Sequence, residues 1–258
     1  MACFSGTNIV NDGLVLHLDA ANKNSYPGSG TTWKDLSGNE NNGTLVNGVG
    51  YNSDNKGAMV FSTNNQYVPS STNLETVDSI GGLLADSGTI FSVNTWFKWV
   101  SNPVIRGSTN HCHAIVGRGG GIGSQATFVV FCSINQYNNG AGGGPIEYGK
   151  PYVCIRGRNN KISDERIDID KWNNIQITWN GVEAKSYFNG YTETTLTPGT
   201  FGLQTGSDYR FTLGNVRATS LSNTAFQGSI SVASVYNRAL TAAEIKQNFE
   251  ATRSRYDI

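Results

Sequence analysis

The chain has 258 residues, with 31 glycines, 6 prolines and 38% hydrophobic residues, which describes an ordered, turn-rich β protein and excludes a disordered or collagenous one. Lys and Arg number 19, as do Asp and Glu, and with no basic block the chain is not expected to bind nucleic acid by neutralising phosphates. No apolar run reaches the length of a membrane span, and residues 1–13 (MACFSGTNIVNDG) show neither a basic nor an apolar signal region, so neither membrane insertion nor a signal peptide is expected.

In chain order, residues 13–20 (GLVLHLDA) predict a first strand. Residues 22–50 are turn-rich: YPGSG, then WKDLSGNENNGTL, then NGVG. Short strands are expected at 58–61 (AMVF) and 66–69, and a polar loop or helical turn at 71–87. The clearest early strand is 89–100 (TIFSVNTWFKWV). Its alternation puts Phe91, Val93, Thr95, Phe97 and Trp99 on one face and Ser92, Asn94, Trp96 and Lys98 on the other. Strands at 114–116 and 126–134 follow, separated by GRGGGIG, and a second glycine run fills 138–144. Strands are then predicted at 152–156 and, briefly, at 167–169. In DKWNNIQITWNG (170–181), Ile175, Ile177 and Trp179 alternate with Asn174, Gln176 and Thr178, and Asn180-Gly181 signals a hairpin. The return strand spans 183–189, and 209–213 (YRFTL) alternates again. The chain closes with a strand at 229–236, a corner at Asn237-Arg238 and a helix opening at Thr241. Thr241 and Glu244 form a capping box, and Ile245 and Phe249 share the face that docks the helix on something apolar.

Short strands separated by turn signals read as a sandwich or barrel, and neither a linker nor a fixed-period repeat divides them, so one domain is expected. Cys3, Cys112, Cys132 and Cys154 are expected as reduced, buried thiols. His111-Cys112-His113 has the look of a metal cluster, but a strand would send Cys112 to the face opposite the two histidines and no second cluster follows. His17, inside an apolar strand, reads as a core or edge residue. GRGGGIG lacks the following helix that a phosphate cradle needs, and reads as a flexible loop. Trp96, Trp99, Trp172 and Trp179 lie in or beside strands and are expected in the core. Tyr26 and Trp33 in the first turn-rich segment, with Tyr137 and Tyr148 flanking the second glycine run, are the candidates for exposed carbohydrate contact.

Three stretches resemble the concanavalin A-like lectin/glucanase superfamily, in its laminin-G-like jelly-roll branch. They are 13–61 (GLVLHLDAAN…YPGSGTTWKDLSGNENNGTL…F), DKWNNIQITWNGVEAKSYFNGY, and the ending FQGSISVASVYNRALTAAEIKQNF. The resemblance implies an all-β, concanavalin A-like jelly-roll β-sandwich with one short C-terminal helix, as a single domain over 13–258. Residues 1–12 would be an N-terminal arm, anchored to a partner, or an edge strand. The wording of the first stretch resembles versions found in tailed bacteriophages, especially those of marine and cyanobacterial hosts, where such domains occur in tail fibres, decorations and appendages.

Superfamily hydrolases place acids at alternate positions of one strand, as Glu-x-Asp-x-(x)-Glu. The one similar string here, DERIDID (164–170), puts Arg166 where the nucleophile would stand, so no enzyme is expected. Several relatives carry calcium at the sandwich rim. Asp35, Asn39 and Asn41 would be its oxygen ligands here, and an ordinary Asx-turn loop favours the same residues. The resemblance therefore implies a non-enzymatic virion structural protein of a tailed phage, a capsid decoration or tail appendage assembled in the host cytoplasm. Its implied partners are other virion proteins, host-surface glycan and further copies of itself. A free-standing carbohydrate-binding lectin is the alternative.

Overall fold

The computed structural model describes residues 8–54, 57–62, 68–69, 90–100, 112–119, 126–133, 137–138, 145–146, 149–155, 158–199, 211–215 and 226–258. The strands are β1 (Leu14–Asp19), β2 (Thr32–Trp33), β3 (Gly43–Thr44), β4 (Gly50–Asn52), β5 (Ala58–Phe61), β6 (Val68–Pro69), β7 (Phe91–Trp99), β8 (Cys112–Gly119) and β9 (Ala126–Ser133). They continue with β10 (Tyr137–Asn138), β11 (Pro145–Ile146), β12 (Pro151–Ile155), β13 (Arg158–Lys161), β14 (Trp172–Trp179), β15 (Ala184–Phe188), β16 (Thr192–Leu196), β17 (Phe211–Leu213) and β18 (Gly228–Tyr236). The one helix among the described residues, α1 (Ala242–Arg253), follows β18.

Two antiparallel sheets hold most of these strands. An eight-stranded sheet runs β16-β15-β14-β7-β18-β5-β4, with β1 also paired to β18, and a six-stranded sheet runs β13-β12-β9-β8-β17-β6. The core lies between them. Val93, Phe97, Trp99, Ile175 and Ile177 of the large sheet meet Ile115, Val130, Val153, Ile155 and Phe211 of the smaller one in a single buried cluster. The alternation expected for β7 and β14 holds, because a strand with one face in this core must repeat every second residue. β18 is buried along its whole length, with β7 on one side and β5 and β1 in turn on the other. Its run of Ser, Ala and Val suits a strand covered on both faces.

The expected strand at 167–169 does not form. Residues 162–171 are irregular, Asp170 adopts a φ of 61°, and Ile167 is tied by one backbone bond to Gly149 without extending a ladder. β13 and β16, both rich in Asn, Thr or Glu, were not expected; cross-strand partners β12 and β15 supply the order that local propensity lacks. The expected polar segment at 71–87 lies outside the described residues.

Helix α1 starts as its capping box predicts: Thr241 Oγ1 accepts from Glu244 N–H and Glu244 Oε2 accepts from Thr241 N–H. Arg238 adds two bonds to the same carboxylate, and this pairing holds Glu244 down to about 2. The buried stripe of α1 is Ile245, Asn248, Phe249 and Thr252. Ile245 and Phe249 dock on apolar neighbours as expected, Phe249 on Trp96, Trp172, Val232 and Tyr256 and Ile245 on Val10, Tyr187, Tyr236 and Leu240, while Asn248 and Thr252 add polar partners to the stripe. Trp96 stacks between Phe249 and Tyr256 and donates its Nε1–H to Thr252 Oγ1. Gln176 Nε2 donates to Ile245 O, and Asn248 Oδ1 accepts from Val10 N–H. Gly190 lies under the Phe249 ring at a φ of 75°; an added Cβ would overlap that ring, which explains glycine in YFNGY.

Residues 8–12 form no strand, which corrects the edge-strand alternative for them. They strap α1 through Asn248 and Gln247, with Val10 buried, and Arg238 holds Asp12. Residues 1–7 lie outside the described residues. No helix among the described residues is long and apolar enough to cross a membrane.

Candidate functional site

The two outward faces of the sandwich both bury polar side chains. On the large sheet, register aligns His17, Ser234, Asn94, Gln176, Tyr187 and Glu193 across β1, β18, β7, β14, β15 and β16. Much of this polar row is closed off beneath α1. Asn174 Nδ2 donates to Asn94 Oδ1 and to Thr95 O, and Gln176 Nε2 to Asn174 Oδ1. The partners come from within the protein, although Gln176 Oε1 keeps none. His17 at the row's end shares a hydrogen bond with Ser234 Oγ, and burial lowers its pKa. Ser234 is itself buried, so the pair ties β1 to β18 and presents no nucleophile.

The outward face of the six-stranded sheet is built otherwise. Val153 and Ile155 point into the core, so Tyr152 and Cys154 between them point out. Opposite them on β13 stand Lys161 and Asn159, and Thr212 of β17 lies on the same face across β8, opposite Gly117. Thr212 Oγ1 donates to Asn215 O. Lys161 is paired with Asp164, which Lys150 also approaches at 3.7 Å; the Lys161 ammonium lowers the Asp164 pKa. Asn159 is 3% exposed, and neither its Nδ2 nor its Oδ1 has a hydrogen-bond partner. A buried amide with both ends unpaired costs a kilocalorie or more per group, on the order of 1–3 kcal/mol, and calls for an explanation. The segments predicted at Tyr152 and Cys154 pointed to a strand, but Asn159 had no signal in its own sequence; only pairing with Cys154 puts it on this face.

The expected carbohydrate contacts are placed elsewhere. Trp33, on β2, is 0% exposed and Tyr26 is 4% exposed, which corrects the expectation that both rings are free to stack on sugar. The turn at Asn22–Tyr26 folds back, with Tyr26 N–H bonded to Asn22 O, and both rings join the core cluster because burying such large apolar areas outweighs display in a loop. Tyr26 tilts on Tyr51 at 5.0 Å between centroids and donates its O–H to Gly30 O. Tyr137 lies on β10, opposite Ile146; Tyr148 lies outside the described residues.

The candidate calcium ligands are brought together, as a hydrogen-bonded loop. Asp35 Oδ1 accepts from His17 N–H and Ser37 N–H, and its Oδ2 from Ser37 O–H and Asn41 N–H, all within 2.7–3.0 Å. Asn41 donates its side-chain N–H to Val15 O, and Asn39 turns its amide nitrogen toward Val15 O and Ser37 Oγ. This donor set does not fit a hard cation that needs six to eight oxygens. The carboxylate is saturated by N–H and O–H groups, and the two asparagines present nitrogen inward. Among the described residues no group of three or more His, Cys, Asp or Glu side chains could hold a metal ion.

In the string His111-Cys112-His113, His111 lies outside the described residues, and His113 is a core residue of β8. Its Nδ1 accepts from Trp99 Nε1–H at 2.8 Å, a polar link between the two sheets, and burial lowers its pKa to about 4. Cys154 is a buried, reduced thiol. Cys3 and the side chains of Cys112 and Cys132 lie outside what is described. Of the two glycine runs, Gly117–Gly119 belongs to β8 and Asn138 to β10, and the remainder lies outside the described residues. The acids of 164–170 sit in an irregular segment and share no strand face; Asp168 pairs with Lys171 at 2.9 Å on the surface.

Comparison with curated proteins found no match. Among solved structures, Trypanosoma rangeli sialidase in complex with sialic acid is similar at a TM-score of 0.60 and 15% identity, over 94% of this chain and 33% of the sialidase. The chain thus spans about a third of the length of that enzyme. The binding domain of Paraclostridial Mosquitocidal Protein 1 aligns at 0.58 and 16% identity, over 93% of this chain and 52% of that one. Domain 4 of AbnA, a GH43 extracellular arabinanase from Geobacillus stearothermophilus, in complex with arabinotriose, aligns at 0.53 and 17% identity, over 91% and 97%. At these identities the likeness is one of fold. The model of the family Laminin_G_3, concanavalin A-like lectin/glucanases superfamily, matches residues 63–246, more than half of the chain, and the chain belongs to that family.

Proposed function

We propose that the chain is a non-enzymatic carbohydrate-recognition module carried as a structural protein on the surface of a tailed-phage virion, as a capsid decoration or tail appendage. The observation that carries the recognition role is the match of residues 63–246 to the model of the concanavalin A-like lectin/glucanase family. The structural relatives include a binding domain and an arabinanase domain in complex with arabinotriose, which accords with a binding role.

The virion setting is supported by the resemblance of residues 13–61 to phage proteins. Absence of hydrolysis is supported by the irregular course of 164–170, which presents no strand-borne acid pair. The test is a glycan array with the purified chain, run beside a reducing-end assay on laminarin, agarose and carrageenan. Retention of glycans without turnover is the expected result; turnover abolished by Asp168→Asn would overturn the non-enzymatic part. A free-standing lectin would share the recognition role, and finding the protein absent from purified virions would decide for it.

A further inference from the structure

Resting on the reading that the chain recognises carbohydrate, we propose that Tyr191 is its stacking platform and that the ligand is a saccharide laying the C–H face of one ring on the exposed phenol. A sugar ring carries an apolar C–H face and a rim of hydroxyls, and it calls for an aromatic ring that solvent can reach with polar groups beside it. Among the described residues Tyr191 is the only exposed aromatic side chain, at 56%; Tyr26, Trp33 and the strand tryptophans are buried. It stands between β15 and β16, directly after Gly190, where the chain passes over α1. The ring is held in place from two sides. Its O–H donates to Glu250 Oε1 at 2.5 Å, and it stands T-shaped against Phe249 with centroids 5.3 Å apart. An exposed tyrosine loses rotamer freedom when a ligand settles on it; this one is already fixed, so ordering it on binding costs less. Polar groups flank the ring as well. Glu250 Oε2 pairs with Arg253 Nε at 2.7 Å, and the two side chains are 30% and 41% exposed. A carboxylate accepts from hydroxyls and a guanidinium donates to them, so the rim of a stacked sugar meets both kinds of partner.

The experiment compares wild type, Tyr191→Ala, Tyr191→Phe and Val182→Ala on the glycan array and in titrations with cellotriose, laminaritriose and arabinotriose. All are run well below the lowest melting temperature of the set, so that every variant is folded. The wild type is expected to bind at least one of these probes or of the array glycans. Tyr191→Ala should weaken that binding about tenfold or more, as removal of a ring at the centre of a contact implies. Tyr191→Phe keeps the flat ring and releases it from Glu250, and should stay within about threefold of wild type. Val182→Ala trims another exposed apolar side chain, at 86%, and should leave binding unchanged. Binding that survives Tyr191→Ala overturns the inference and leaves the carbohydrate role standing. A loss in Tyr191→Phe or in Val182→Ala as large as in Tyr191→Ala does the same, because the ring face at position 191 is then not what holds the sugar. A wild type that binds none of the three probes, with the glycan array also blank, overturns both.

Discussion

The outward faces of the two sheets both bury polar side chains, and their asparagines differ in whether they find partners. Beneath α1, Asn94, Asn174, Gln176 and Asn248 bond to one another, to backbone and to Tyr236. On the six-stranded sheet Asn159 has no partner at either end. The same residue type is thus bonded within the protein on one face and left unpaired on the other, and what separates the two is whether a second element supplies complementary groups. Asn159 is nevertheless as buried as the asparagines beneath α1, so its unpaired amide is a cost carried by the fold.

The comparison can be broken first at the helix. Phe249→Ala removes a ring packed on Trp96 and Tyr191, and should lower stability by about 3–5 kcal/mol in denaturant unfolding. A loss below about 1 kcal/mol would mean that α1 is not the seal described.

The polar link across the core titrates next. His113 accepts from Trp99 only while neutral, and its folded pKa of about 4 lies below the ordinary 6.5. Between those values the unfolded chain binds the extra proton, so stability is full above pH 6.5 and falls as pH drops toward 4, by about 3 kcal/mol across the window. His113→Gln, which keeps an acceptor and loses the titration, should flatten that part of the stability-versus-pH curve. A wild-type curve already flat between pH 6.5 and 4 would remove the link.

The two asparagines supply the sharper contrast. Asn174→Leu strands Gln176 and Asn94 and should cost about 2 kcal/mol. Asn159→Leu removes an amide that has no partner to strand, and should leave the melting temperature unchanged or raise it by the equivalent of about 1 kcal/mol. Equal losses at the two positions would show that the faces do not differ as proposed.

Much of the fold was legible because its signals are local. The alternation of Phe91, Val93, Phe97 and Trp99, the hairpin at Asn180-Gly181 and the capping box of Thr241 and Glu244 each occupy a few neighbouring residues, and each recurs in the structure. The candidate site was much less legible. Tyr26 and Trp33 looked available because turn-rich sequence implies surface, but the turns bring those rings back onto the core. Asp35, Asn39 and Asn41 carry the oxygen-rich composition of a cation loop, while the direction of each amide, set by Val15 and Ser37, makes them a hydrogen-bonded one. The string RNNK of β13 gives no hint of a strand, let alone of a buried amide.

The sequence by itself determined the strand periodicity, the helix and its caps, and through three motif stretches the superfamily, since each depends on side chains close along the chain. Tertiary structure alone decided which polar groups find partners. Hydrogen bonds such as Val10 to Asn248, or the absence of any at Asn159, depend on chain segments far apart in sequence, and no local pattern encodes who will stand opposite.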